Sequence, residues 1–391
     1  MTLSGTTDLS NQQPIQVGVL FSNTGVTAPI ERTQLSGTLL AIHEVNAAGG
    51  INGRELVPVL YDPQSDAVQY ASLAERLILN DDVNVIFGCY MSSTRKAVLP
   101  IVEKWNRLLF YPTIYEGFEF SNNVIYTGAA PNQNSVQLAD FMTLNFGSRV
   151  YLVGSNYIYP FESNRIMTDL VEQRNGKTVG KRYLPLTAGY EEFTSVVGDI
   201  RKQRPDFIFS TVVGESTQHL YRAYAEAGLN PKEMPIASLT TCEAEIKAMG
   251  AEYAAGHYTA APYFQSIDSE TNRRVLDLYR NFMCGDVVTN MCWEAAYFQV
   301  HMFANAMRQS GTDQVEALLP ELLGAEFQAP QGRVRIDPAT HHTCLYPRIG
   351  RANSKGQFTI VREAKRPVHP DPYLVTYSLG DWTTRIDTLD L

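Results

Sequence analysis

The stretch Phe87-Gly-Cys-Tyr-Met-Ser-Ser-Thr-Arg-Lys-Ala-Val-Leu-Pro100 decides the fold. The apolar run Val83 to Phe87 reads as a buried strand, breaks at Gly88 and gives way to a helical pattern from Ser92. A strand passing through a glycine turn into a helix is the unit of an open α/β sheet, and ligands of such sheets bind in the crevice beyond the carboxyl ends of the strands. Ser92 or Ser93 is placed to N-cap the helix, which would turn its first free N–H groups toward that crevice. The next strand end, Leu108–Tyr111, runs into Pro112-Thr113 and adds a phenol and a hydroxyl at the same edge. A strand, a glycine and a serine cap alone fit any α/β loop. It is the second polar strand end beside the first that points to a site.

Outward from this stretch the same rhythm repeats. Strands over 15–21, 55–61, 83–87 and 108–111 alternate with helices over 32–47, 68–79 and 93–105, which implies parallel strands with right-handed crossovers. It restarts after Ala130-Pro-Asn-Gln133. Helices are expected over 135–145, 162–173, 193–203, 217–227 and 243–249, with strands over 149–154, 177–184, 206–212, 235–239 and from 257 to 263. Helices over 293–308 and 314–323 follow. Stretches 332–336, 343–349 and 358–361 then read as a short antiparallel tail closing the second half. The fold class is therefore α/β, with two doubly wound parallel-sheet lobes joined by three crossovers near 128–131, 259–263 and 334–340. The expected lobes are 15–129 plus 262–336 and 130–261 plus 337–391, with 1–14 flexible. Such a triply connected body is built to open and close on a ligand.

The 391 residues are 44% hydrophobic and 19% charged, enough for two cores. A net charge of −9 without any basic block argues against nucleic-acid binding or attachment to an anionic membrane. No apolar run reaches the ~18 residues of a membrane span. Residues 1–13 have neither a basic start nor an apolar stretch, so the chain as written is expected in the cytoplasm; a removed secretory leader would make it periplasmic. The five cysteines are scattered and form no C-x-x-C pair, so no disulfide framework, zinc site or other cofactor is expected.

Several features have plainer explanations than chemistry. Gly49-Gly-Ile-Asn-Gly53 lacks phosphate-loop spacing and follows a helix, which suits a helix stop. His341 and His342 are adjacent in an extended segment and point apart. Cys89 reads as a small buried thiol, since no motif ties a histidine to it. The strand ends are more coherent. Tyr90, Ser92, Tyr111 and Thr113 come from the first lobe, and Tyr157 and Tyr159 from the loop Ser155–Pro160 of the second. The strand ends at Thr211-Val-Val213-Gly and Ser238-Leu-Thr240 add hydroxyl and backbone groups. Uncharged hydroxyls and phenols suit a small neutral polar ligand.

From Ile15 to about Asp381 the chain resembles the amide-binding branch of the type I periplasmic-binding-protein family. The likeness is carried by Phe21–Thr27, Gly88–Lys96, Tyr111–Gly117, Ala130–Asn134, Ser155–Pro160, Ser210–Gly214, Ala261–Asp268 and Ala329–Arg333. Cys89-Tyr90 and Ser378-Leu-Gly-Asp-Trp382 resemble most the members that act as cytoplasmic amide sensors and negatively regulate an aliphatic amidase operon. The resemblance implies that Ser92 and Thr113 hold an amide group while Tyr90, Tyr111, Tyr157 and Tyr159 wall the pocket. Ile114 stands where the sensors carry proline, which leaves the accepted acyl size open. It further implies a non-enzymatic protein that binds a small aliphatic amide or urea and, as a homo-oligomer, signals to an RNA-binding antiterminator protein. Two rivals stay open here: the substrate-binding protein of a short-chain amide or urea importer, and an amidase acting through Cys89 or Ser92.

Overall fold

The computed structural model describes residues 13–375. Most of the expected flexible start and the Ser378–Trp382 motif lie outside the described residues. The first sheet is built from β1 (Ile15–Leu20), β2 (Leu56–Tyr61), β3 (Val85–Gly88), β4 (Leu108–Tyr111) and β5 (Val124–Tyr126), with α1 (Ala28–Ala47), α2 (Ala67–Leu79) and α3 (Ser92–Lys104) between them. All its pairings are parallel, in the order β2-β1-β3-β4-β5. β3, β4 and β5 are buried along their whole length, as strands covered by helices on both faces must be. Their residues alternate between two cores: Val85 and Phe87 enter one, Ile86 the other with Leu77 and Val98.

The second lobe repeats the plan. It comprises α4 (Ser135–Asn145), β6 (Arg149–Ser155), α5 (Ile158–Glu172), β7 (Lys177–Leu184), α6 (Tyr190–Gln203), β8 (Phe207–Thr211), α7 (Ser216–Glu226), β9 (Ile236–Ser238), α8 (Glu243–Met249), α9 (Ala251–Ala254) and β10 (Tyr258–Ala261). After α10 (Glu270–Met283), α11 (Met291–Ser310) and α12 (Val315–Leu322), β11 (Glu326–Ala329), β12 (Gly332–Ile336) and β13 (Thr343–Cys344) form a separate antiparallel sheet. The hairpin β14 (Arg348–Ala352) and β15 (Phe358–Glu363) then joins the second sheet antiparallel to β10, giving the order β15-β14-β10-β9-β8-β6-β7. Both sheets thus reverse strand order beside their first strand, at β1/β3 and at β6/β8, and such switch points open crevices at the strands' carboxyl ends.

Three expectations need correction. The strand expected over 343–349 is interrupted because Pro347 has no N–H for a ladder and the Tyr346 N–H is taken by Gln331 Oε1 at 3.1 Å. The tail therefore splits between two sheets. α5 starts at Ile158, not near residue 162, since Pro160 falls in the first turn, where proline costs no intrahelical bond. Strands β5 and β11 go beyond the expected set; at three and four residues they carry too little pattern to be recognised.

Among the described residues no helix is long and apolar enough to cross a membrane. α11, whose Trp293, Tyr297, Val300 and Ala304 stripe is fully buried, packs along α1. The two helices approach at Gly37, where a Cβ would lie 2.6 Å from the Trp293 carbonyl oxygen. Alanine is worth about 1 kcal/mol more than glycine within a helix, yet overpacking costs about 1–3 kcal/mol. Gly37→Ala is therefore expected to lower the urea midpoint. A raised midpoint would mean that helix propensity outweighs the contact.

Candidate functional site

The first-lobe wall begins where β3 ends. A Cβ on Gly88 would stand 2.8 Å from the Leu20 carbonyl oxygen, so the chain passes close to β1 there. Cys89 follows at φ 72°, a conformation rare for a residue with a side chain, and donates its N–H to the same carbonyl at 3.1 Å. This turn aims the Cys89 carbonyl at Thr113, whose Oγ1 donates to it at 3.3 Å. The Cys89 thiol is fully buried and its pKa is driven up by that burial, which fits packing and not nucleophilic attack. α3 is capped by the backbone of Met91 and not by a serine side chain. Ser92 is instead the first helical residue and donates its hydroxyl to the Glu116 carboxylate, which the spacing of Ser92 and Ser93 alone does not reveal.

Glu116 and Glu119 follow β4 and converge on Arg95. Its side chain is wholly buried and pairs with Glu119 through Nε at 2.7 Å and with Glu116 through Nη2 at 3.0 Å. Burial would raise the Glu119 pKa, but the charge and hydrogen bonds of Arg95, helped by Lys96, outweigh it and hold the carboxyl at about 2. Gln34, from α1, donates Nε2 to Thr113 Oγ1 at 2.9 Å. The second-lobe wall comes from the ends of β6, β8 and β9. Tyr157 and Tyr159 flank the start of α5 with ring centroids 6.3 Å apart. The Tyr159 hydroxyl is buried, which raises its pKa, and makes no hydrogen bond of good geometry, although Ser163 lies close enough to favour its ionised form slightly against that burial. Thr240 Oγ1 donates to the Val212 carbonyl at 3.0 Å, and the Val213 N–H donates to Ser155 Oγ at 3.2 Å.

These walls meet. Tyr90, Ser92, Thr113, Ile114, Tyr157, Tyr159, Val213 and Thr240 line one small cavity between the lobes. The space left between these side chains is about 10 Å³, roughly what one water molecule needs. Tyr111, expected in the wall, stands behind it: its hydroxyl donates to the Tyr90 carbonyl at 2.7 Å and its ring lies 4.9 Å from the Arg95 guanidinium carbon. It positions Tyr90 and does not line the cavity. Arg95, Glu116, Glu119 and Gln34 are supporting residues that strand-end reasoning misses. Their signal is a polar side chain on a helix face or loop that is otherwise apolar. Apart from the phenols, no ionisable side chain lines the cavity. Glu243 is buried nearby in sequence to Thr240, but its Oε1 accepts the Gln265 N–H at 2.8 Å and it is not part of the lining.

Residues 15–379 match the family described as periplasmic binding protein domain. The chain belongs to that family. It is a binding protein and not an enzyme. It is 24% identical over 298 residues to Leu/Ile/Val-binding protein homolog 6 of Brucella melitensis, covering 74% of this chain and 76% of that one. A solved solute-binding protein of an ABC transporter from Rhodopseudomonas palustris HaA2, in complex with p-hydroxybenzoic acid, superposes with a TM-score of 0.83 at 21% identity, covering 93% of this chain and 100% of that chain. A 133-residue stretch is 32% identical to limonene hydroxylase of Geobacillus stearothermophilus; the match spans 34% of this chain and 24% of that protein's length.

Beside the cavity, Glu243 and Glu245 sit in the first turn of α8, where burial pushes both carboxyls up to about 8 against the pull of their hydrogen bonds. A group that holds its proton more tightly when folded stabilises fully below its unfolded value and loses that contribution as pH rises through the folded one. The window here runs from 4.5 to about 8. The buried His257 and His342, with pKa values lowered to about 3 by burial, are neutral when folded, and their unfolded forms, which titrate at 6.5, lose most of their remaining charge just above that pH and oppose the two glutamates only weakly. The urea midpoint is thus expected to fall between pH 6.5 and 8, and Glu245→Gln to flatten that fall. An unchanged slope in the variant would contradict this.

Proposed function

We propose that this protein is a solute-binding protein that closes its two lobes on a small neutral primary amide or urea. The observation that carries the reading is a small cavity lined by hydroxyls, phenols and short apolar groups from both lobes, with no carboxylate or cationic side chain facing it. An α-amino acid would bring an ammonium and a carboxylate into this space without counter-charges, and desolvating them unpaired is costly. An aromatic acid would need a cation facing its carboxylate, while Arg95 is wholly buried and engaged by two glutamates. A short amide needs neither. The receptor of an ABC importer is the role suggested by the related solute-binding proteins. The cytoplasmic sensor of amidase expression is the second reading, and what favours it is that Tyr90, from the Cys89-Tyr90 pair that resembles the sensors, contributes to the cavity wall.

Calorimetry with acetamide, propionamide, urea, leucine and p-hydroxybenzoate tests the ligand class. Acetamide, propionamide or urea should bind, and leucine and p-hydroxybenzoate should not. Leucine binding tighter than every amide would return the chain to the amino-acid receptors. Ser92→Ala and Thr113→Ala should each weaken amide binding about ten-fold or more, since a lost buried hydrogen bond costs ~1–3 kcal/mol. To separate the two roles, the protein is recovered from its native host with its partners. A membrane permease supports the receptor; a co-purifying RNA-binding protein released by amide supports the sensor.

A further inference from the structure

The two hydroxyls of the first-lobe wall already have their protons committed. Ser92 Oγ donates to Glu116 Oε2 and accepts from Arg95 Nη1 at 3.3 Å. Thr113 Oγ1 donates to the Cys89 carbonyl at 3.3 Å and accepts from Gln34 Nε2 at 2.9 Å. The orientation of the Gln34 amide is set by the same nitrogen lying 3.4 Å from the Pro112 carbonyl, which can only accept. A hydroxyl has one proton and two lone pairs, so each keeps a single lone pair for the cavity and can act there only as an acceptor. Across the cavity the buried Tyr159 hydroxyl has no partner and is free to donate.

We propose that Glu116, which touches no ligand, sets the hydrogen-bond sense of the site, so that it selects a ligand nitrogen carrying two N–H donors over a carboxylate or ketone of the same shape. This deepens the amide and urea reading and rests on it. The NH2 of a primary amide supplies one proton to Ser92 Oγ and one to Thr113 Oγ1, and its carbonyl accepts from Tyr159. In acetate an oxygen replaces the NH2 and sets lone pairs against lone pairs. In acetone a methyl group replaces it and leaves both acceptors unpaired, the situation in which a polar site rejects an isostere most strongly. Glu116 acts as a positioning residue because its other oxygen, Oε1, is held 3.0 Å from Arg95 Nη2.

The test is calorimetry of acetamide, acetone and acetate with the wild type, Glu116→Gln and Glu116→Asp, the fold of each being checked by circular dichroism. Arg95 can only donate, so the introduced carboxamide turns its oxygen to Arg95 and its NH2 to Ser92 Oγ, and the Ser92 proton then turns into the cavity. The wild type should prefer acetamide over acetone by about ten-fold or more. In Glu116→Gln that preference should shrink about ten-fold, while Glu116→Asp, which keeps a carboxylate acceptor, should retain it. The neutral acetamide and acetone pair separates hydrogen-bond sense from charge, which acetate also reports. A merely structural role would weaken both neutral ligands equally. An unchanged acetamide-to-acetone ratio in Glu116→Gln would overturn the inference and leave the amide reading standing. Equal binding of acetamide and acetone by the wild type would overturn it even if the variants fail to fold. A wild type that binds neither acetamide nor urea would instead sink the amide reading itself.

Discussion

Arg95 carries a full charge without any exposure to solvent. A guanidinium in that position is stable only when paired, and removing one partner of a buried pair typically costs about 3–5 kcal/mol. Glu116 and Glu119 supply the pairing, and the faces of Tyr111 and Tyr115 cover the guanidinium with their centroids 4.9 and 4.8 Å away. All four partners come from β4 and the loop after it, so that loop is pinned to the first turn of α3. The placement of Ser92, Thr113 and Ile114 follows. The cluster reaches further, because Tyr115 and Tyr126 stack at 5.1 Å and Tyr126 stacks on His342 at 4.1 Å, in the segment between β12 and β13. The first-lobe half of the site is therefore built by folding and does not wait for a ligand, which is what preorganised recognition requires.

The second lobe contributes differently. Its groups at the cavity are phenols, a valine and a threonine, and the Tyr159 hydroxyl has no protein partner. On the reading proposed above, a ligand bound to the first-lobe acceptors becomes fully enclosed only when these residues are also in place. Closure then has its own free-energy source, since a ligand shifts such an equilibrium only through contacts that one state has and the other lacks.

Much of this was legible in the residues. Buried parallel strands are continuous apolar runs, and β4, β7, α4 and α8 have the limits that such runs and their turn residues imply. Strand ends at switch points collect polar groups, which is why eight expected residues fall around one cavity. Tyr111 was misplaced because strand alternation alone does not say which face of β4 a terminal residue occupies once the chain bends at Pro112. Ser92 was read as a cap because serine at a helix start has that preference; the Glu116 carboxylate, 24 residues on, competes successfully for its proton. The resemblance to amide sensors named the wall residues, while the family assignment itself says only that a solute is bound.

A crystal structure of the protein grown with acetamide tests the central claim most directly. The account predicts the ligand inside the cavity, its nitrogen within hydrogen-bond distance of both Ser92 Oγ and Thr113 Oγ1 and its carbonyl oxygen toward Tyr159. An acetamide turned with its carbonyl to the two hydroxyls, or bound anywhere other than between the two lobes, would contradict it.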